Sequence, residues 1–207
     1  MAQDNICEMA EIFATLDGRR SQFFDKEADG LWSISTPNNF DSDVYHAYIN
    51  KTAGIEKILD RPPPDGPEPQ LLDLVDGFVA GYNIYLARTR ISRIPDKRCR
   101  GKQWVRPISR IDVARRVYNL ANRAGRALGA SGIASAGPPS IGDFTFGSQP
   151  VLDPGLVSEL TEKFAHAPES EGSNAVGLGS EATSTGRGIL IHNPHWAWDG
   201  LDRCWQF

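Results

Sequence analysis

Apolar residues recur at helical spacing four times before the chain changes character. Ile6, Met9, Phe13 and Leu16 form the first stripe, widened by Cys7 and Ala10. They predict a core helix capped by Asp4 or Asn5 and stopped at Gly18. A second helical segment is predicted over 40–59, with Val44, Tyr45, Tyr48 and Ile55 as buried candidates. The proline-rich run 61–69 forbids regular structure and reads as a loop. A third helix is predicted over 70–86, burying Leu71, Leu74, Val75, Phe78, Val79, Tyr82 and Leu86. Its Gly77 and Gly81 either admit a close backbone or sit on the surface. The stretch 88–107 is irregular and basic. Ser109 then caps a fourth helix through Val113, Val117, Leu120, Ala121 and Ala124. In that helix Asp112 stands at helical spacing from Arg115 and Arg116, a surface pair worth roughly a few tenths of a kcal/mol.

From Gly129 the chain turns to Ala, Gly, Ser and Pro and reads as a loose connector, with a short helix over 156–164 and a polar stretch over 165–171. Then the period changes from helix to strand. The segments 174–179 and 188–192 carry apolar residues at strand spacing, with turn residues between them, and predict a β-hairpin. A turn centred near Ser184 sets Ser173 opposite His195, which brings a hydroxyl and an imidazole to one end of the hairpin as nucleophile and partner. The residues alone leave a plain alternative: Gly-Ser is common in linkers, and a histidine after a strand often serves only structure.

A chain of 207 residues can bury one large core or two small ones. No apolar run approaches the ~20 residues of a membrane span, so no membrane partner is expected. The net charge of −4 hides an asymmetry: thirteen of the 22 Lys and Arg lie within 88–126, against Asp96 and Asp112 alone. A nucleic-acid surface is one reading of this stretch. The better one is pairing with the acidic remainder of the chain, which leaves no nucleic-acid partner. Cys7, Cys99 and Cys204 lack metal-ligand spacing and allow at most one disulfide within the chain.

Three groups of residues carry a family resemblance. Gly172-Ser173-Asn174-Ala175, followed by Asn193-Pro194-His195 and by Trp198-Asp199-Gly200 with Arg203, resembles the processing site and β-chain start of the penicillin-acylase-type N-terminal-nucleophile hydrolases. The run from Asp4 to Glu11 with Arg19-Arg20-Ser21-Gln22-Phe23-Phe24, and the segment Trp104-Val105-Arg106-Pro107-Ile108-Ser109, resemble the α-chain of the same family. His195 directs the resemblance to the branch of acyl-homoserine-lactone and aculeacin acylases. The implied fold is α+β, an N-terminal nucleophile hydrolase (αββα) fragment. It divides into a helical α-chain part over 1–150, a spacer over 151–172 and the start of the catalytic β-chain over 173–207.

The implied chemistry is self-cleavage at Gly172-Ser173, then hydrolysis of linear amides in N-acyl compounds. Ser173 would be the nucleophile, with its freed α-amine as base, and His195 would orient or assist it. Asn174 and Asn193 would support the site, and Val176, Leu178, Trp196 and Trp198 are hydrophobic enough to line an acyl pocket. No cofactor and no metal are called for. The partners are the N-acyl substrate and the remainder of the β-chain, and the location is periplasmic or secreted. No signal peptide precedes Met1, so the chain reads as cut at its front and short at its back. Trp196-Ala197-Trp198 departs from the aromatic-proline-tryptophan pattern of close relatives, and the family's oxyanion-hole donors come from later in the β-chain. The alternative is a non-enzymatic helical interaction module with a Gly/Ser-rich tail, which would be indifferent to Ser173→Ala.

Overall fold

The computed structural model of the protein describes residues 1–28, 38–122, 130–134, 136–137, 158 and 172–195. The chain divides into two compact units, Met1–Val151 and Leu152–Phe207.

The first unit is built on α1 (Ala2–Leu16), in which every residue from Asn5 to Leu16 except Glu11 is buried. A helix without a wide polar face belongs at the centre of its unit, and the predicted stripe is core as expected. The expected cap is corrected. The helix starts at Ala2, and Asn5 breaks it at φ −129°, ψ 15°. The Asn5 side-chain amide donates back to the Met1 carbonyl at 3.0 Å rather than accepting from an amide ahead. At the other end Gly18 sits at φ +68°, and a Cβ there would lie 2.9 Å from the Asp43 carbonyl oxygen. The helix stops where only glycine fits.

The predicted 40–59 segment is two helices, α2 (Asn39–Thr52) and α3 (Ile55–Leu59), because Gly54 between them is left-handed at φ +64°. Asn38 caps α2 by accepting from the Asp41 amide at 2.8 Å. Ser42, Tyr45, His46 and Ile49 are the buried stripe of α2, at i, i+3, i+4 and i+7. Tyr48 lies off that stripe and is exposed, and Val44 is half-buried, which corrects both as core candidates. The run read as a loose connector contains one further helical turn, α6 (Ala130–Ala134), whose Ala130 is buried against Tyr45, Ile49 and Ile55. The predicted 156–164 helix falls outside the described residues, Ser158 excepted.

α4 (Pro69–Thr89) opens on Pro69 at its first turn, where a missing amide hydrogen is harmless. It buries Tyr82 and Leu86, with the Tyr82 ring edge-on to Phe13 of α1 at 5.8 Å. Leu71 and Leu74 are 51% and 73% exposed, and Val75, Phe78 and Val79 are half-buried, so the expected core stripe is covered only toward its end. Gly77 and Gly81 face open space. The irregular stretch after α4 is pinned at several points. Cys99 is disulfide-bonded to Cys7 of α1. Trp104 packs on Phe24 at 5.6 Å. The Asn83 amide donates to the Ile108 carbonyl at 2.8 Å and accepts from the Ile108 N–H at 2.9 Å.

α5 (Arg110–Asn122) corrects the surface reading of Asp112, which is buried. Its carboxylate accepts from Arg106 at 2.6 Å and from the Ser109 amide at 2.7 Å. Arg115 turns instead to Asp17 at 3.0 Å and Glu56 at 3.3 Å. Burial disfavours both charges of the Arg106–Asp112 pair. Their mutual hydrogen bonds and attraction, joined by Asp17 on Arg106 and by the Ser109 amide and hydroxyl on Asp112, together outweigh it and hold the guanidinium charged and the carboxyl below its ordinary range. Other cations of the basic stretch are also paired, Arg98 with Glu8 and Asp96, and Arg110 with Asp76. Pairing with acidic residues is what these arginines do. Among the described residues, no helix is long and apolar enough to cross a membrane.

Candidate active site in the hairpin

The second unit contains β1 (Gly172–Leu178) and β2 (Ile189–His195), paired antiparallel. The hairpin is present as predicted, but its register differs. The last pair before the connection is Leu178 with Ile189, which leaves ten residues, 179–188, between the strands. An even number of connecting residues centres the hairpin between residues 183 and 184 rather than on Ser184. Every pairing therefore moves by one: Gly172 faces His195, Ser173 faces Pro194, and Asn174 faces Asn193. The expected Ser173–His195 cross-strand pair is corrected.

The connection explains the parity. It opens with a 3-10 turn, Ser180–Ala182, and closes around Thr183. The Thr183 hydroxyl lies 3.1 Å from the Ser180 carbonyl and 2.6 Å from the Arg187 carbonyl, and Gly186 takes φ +65°. This is a folded loop with its own hydrogen bonds, not a symmetric tight turn.

The register still gathers the predicted site at one place along the chain. Gly172, Ser173, Asn174, Asn193 and His195 occupy the end of the hairpin away from its loop. Val176 pairs with Ile191 and Leu178 with Ile189, which puts all four on one face together with Asn174 and Asn193. That apolar face is open: Val176 is 55% and Ile191 57% exposed. On β2, Ile189, Leu190 and Ile191 are consecutive apolar residues, the pattern of a strand covered on both faces. Trp196 and Trp198 fall outside the described residues. No cluster of potential metal ligands occurs among the described residues.

The first unit holds a second group with catalytic residue types, Ser42, Asp43 and His46 on α2. Its geometry is structural. The His46 Nδ1–H donates to the Ser42 carbonyl at 2.8 Å, while the Ser42 hydroxyl stands 3.4 Å from that nitrogen. Asp43 is turned away, accepting from the backbone amides of Arg20 and Ser21 and from the Ser21 hydroxyl. Ser42 and His46 are buried, so substrate has no access. Sequence reasoning passed over this cluster, and only the Ser42–His46 spacing of four marks it.

Burial lowers the His46 pKa from 6.5 to about 4. Between these values the unfolded chain holds more protons than the folded one. Stability is therefore kept above about pH 6.5 and falls as the pH drops toward 4. The loss from this group reaches about 3 kcal/mol. His46→Phe is expected to flatten that part of the pH–stability curve, read by urea unfolding of both proteins across the window. An unchanged slope in the variant would assign the acid sensitivity to the carboxylates instead.

Comparison with known proteins accounts for both units. Residues 1–207 match the penicillin amidase family. Aculeacin-A acylase of Actinoplanes utahensis is 35% identical over 214 residues, covering 99% of this chain and 25% of that protein. Two proteins named acyl-homoserine lactone acylase PvdQ are similar. The one from Pseudomonas fluorescens Pf-5 is 32% identical, and the one from Pseudomonas putida 30%, each over 205 residues covering 99% of this chain and 24% of the relative. The chain thus spans about a quarter of the length of the curated relatives it matches. With the helical unit and the hairpin unit both inside the matched range, this chain belongs to the penicillin amidase family.

Proposed function

We propose that the whole protein is an amidohydrolase that cleaves the linear amide of N-acyl compounds through Ser173, freed as a chain N-terminus by self-cleavage. The observation that carries this reading is the hairpin end where Gly172-Ser173 and His195 meet, in a chain of an acylase family. In this reading residues 1–150 are the helical α-chain part, 151–172 the spacer and 173–207 the start of the β-chain. The fold of the whole is the αββα arrangement of N-terminal nucleophile hydrolases, and the open apolar strands of the hairpin suit a sheet layer covered on both sides.

In the processing step the Ser173 Oγ attacks the Gly172 carbonyl carbon. The peptide nitrogen leaves as the Ser173 α-amine, and an ester joins Gly172 to Oγ. Water hydrolyses that ester, giving a Gly172 carboxylate and a free Ser173 hydroxyl. A serine hydroxyl needs a base near neutral pH. The new α-amine, with a pKa of about 7.7–8.0, is neutral often enough to take the hydroxyl proton. In turnover Oγ attacks the acyl carbonyl, the substrate amine leaves with a proton, and water releases the acid from the acyl-serine.

In the uncut hairpin the backbone sets His195 opposite Gly172. Its help to Ser173 is therefore assigned to the cut protein, where the strand end is released. Asn174 and Asn193 support the site, and Val176, Trp196 and Trp198 contribute to an acyl pocket. Acyl-homoserine lactones, lipopeptides such as aculeacin and β-lactam side chains are the substrate classes, in keeping with the names of the relatives. The Cys7–Cys99 disulfide favours an oxidising compartment, periplasmic or extracellular. Residues 1–207 alone are expected to show little or no turnover of N-acyl amides, since the resemblance puts the oxyanion donors later in the β-chain and loss of each costs about 10²–10³ in rate. N-terminal sequencing and intact mass of the protein made with its natural downstream sequence test the reading. A second chain beginning Ser173-Asn174-Ala175 is expected, and a single uncut chain would remove the mechanism.

A further inference from the structure

Not every cation of the basic stretch ends in an ion pair. After α4 the chain passes through a 3-10 turn, Ile91–Arg93, and folds back, the Gly101 amide donating to the Ile91 carbonyl at 2.9 Å. Buried Ile94 and the Cys7–Cys99 disulfide anchor this loop inward. What stays outside is basic: Arg88, Arg90, Arg93, Lys97 and Lys102 are all exposed. The acids nearby are already engaged, since Arg98 takes Asp96 at 2.6 Å and Glu8 of α1 at 2.8 Å. Arg100 turns to the backbone carbonyls of Ile94 and Pro95. Among the described residues, none of the five exposed cations meets a carboxylate in an ion pair. The chain as a whole is negative, at −4, so this positive field belongs to the loop and not to the protein at large.

A cleft beside the loop discriminates among polyanions. It measures about 490 Å³ and is lined by α4, Gln3 of α1 and Pro95 of the loop. Ile84, Tyr85 and Pro95 give it an apolar wall, Gly81 adds no side chain, and Arg88 brings a cation into the lining. Ile84 is 50% exposed. Nucleic acid or an acidic polysaccharide would use the cations and leave Ile84 and Pro95 bare. An anionic lipid uses both. Its phosphate suits the planar donors of guanidinium groups, and the carbons next to the headgroup suit the apolar wall. The lack of a ~20-residue apolar run speaks against a span, which is a different matter from lying on the surface. The disulfide favours an oxidising compartment, which also sets nucleic acid aside.

We infer that the end of α4 and the 90–102 loop form a docking surface for anionic phospholipid, which holds the protein against a membrane without crossing it. The inference uses neither Ser173 nor His195, and it stands or falls apart from the hydrolase reading.

The test sediments the full-length protein with vesicles of phosphatidylcholine alone or mixed equally with phosphatidylglycerol. Binding to the mixed vesicles only, weakening as salt rises, is the expected result. Replacing Arg90, Arg93 and Lys97 together by Gln should lower partition about 100-fold, because each cation at an anionic surface contributes about five-fold. Ile84→Glu should lower it as well, by setting a carboxylate on the apolar wall. Lys51, Lys57 and Arg61 are exposed elsewhere on the first unit, and replacing these three by Gln should leave partition unchanged. All the replaced side chains are exposed, so the variants are expected to keep their fold, which circular dichroism checks. Equal binding to both vesicle types, binding to neither, or an equal loss in the two triple variants would overturn the inference. An unaffected Ile84→Glu variant would overturn it too, because the loop would then take polyanions without regard to lipid.

Discussion

Ser173→Ala in the whole protein is expected to leave one uncut chain and to lower N-acyl amide turnover by about 10⁶-fold, the scale on which loss of a catalytic nucleophile falls. Two losses coincide in this variant. Alanine has no Oγ to attack Gly172, so the bond stays closed and no α-amine appears. It also has no Oγ to attack substrate, so even a chain cut by other means stays inactive. Ser173→Cys separates the two. A thiol is the better nucleophile, so cutting is expected to survive while turnover is read apart from it. His195→Ala should lower turnover by about 10²–10⁴, the range of a proton-handling or orienting group, with cutting retained. The wild-type rate should rise with pH through about 7.7–8.0 as the α-amine loses its proton. Turnover surviving Ser173→Ala would end the proposed chemistry. Loss of turnover with cutting intact would instead place the processing nucleophile elsewhere.

How much of this was legible depended on the range of the determining contact. The α1 stripe is set by local period, and Ile6, Met9, Phe13 and Leu16 are buried as the spacing dictates. The same period misled at Leu71 and Leu74, because spacing says that a face is apolar but not what covers it. Gly54 divides 40–59 through a left-handed conformation that no periodic signal announces. Asp112 read as a surface partner of Arg115, since helical neighbours are visible in sequence. Its actual partner, Arg106, precedes the helix in the irregular stretch.

The hairpin shows the same limit on a smaller scale. Two apolar arms and a turn-rich stretch announce a hairpin, and 172–195 forms one. The register depends on how many residues the connection takes up, and Thr183 with the Ser180–Ala182 turn sets that number through hydrogen bonds within the loop. One residue separates the two answers, and it moves His195 from Ser173 to Gly172. Cysteine pairing was the least legible of all. Three cysteines allow three pairings, and the choice of Cys7 with Cys99, 92 residues apart, is made by the fold.

Replacing Cys7 and Cys99 together with alanine is expected to destabilise the first unit by about 4 kcal/mol, because a crosslink closing a loop of this length removes that much conformational freedom from the unfolded chain. Both residues are buried, so the substitution also leaves two small voids. The neighbouring charges deepen the effect. Cys7 precedes Glu8 and Cys99 follows Arg98, and these two are paired at 2.8 Å beside the crosslink. Glu8 is 6% exposed on its side chain and Arg98 65%. If the loop end drifts when the crosslink is gone, a buried carboxylate is left with its cation displaced, which is costly. Cys99→Ala and Arg98→Met should therefore be non-additive, the pair costing less together than the sum of the singles. Because the chain holds two units, hydrogen exchange of the α1 amides is the right readout, since a single unfolding transition cannot be assumed. Protection of those amides should fall by about 10³-fold in the double alanine variant, the equilibrium equivalent of 4 kcal/mol. A loss below about 10-fold, roughly 1.4 kcal/mol, would mean that ion pairs and packing hold the 88–109 stretch on α1 without the crosslink. An oxidising compartment would then no longer follow from this bond. A loss of the full size would make the compartment a condition for the helical unit to persist.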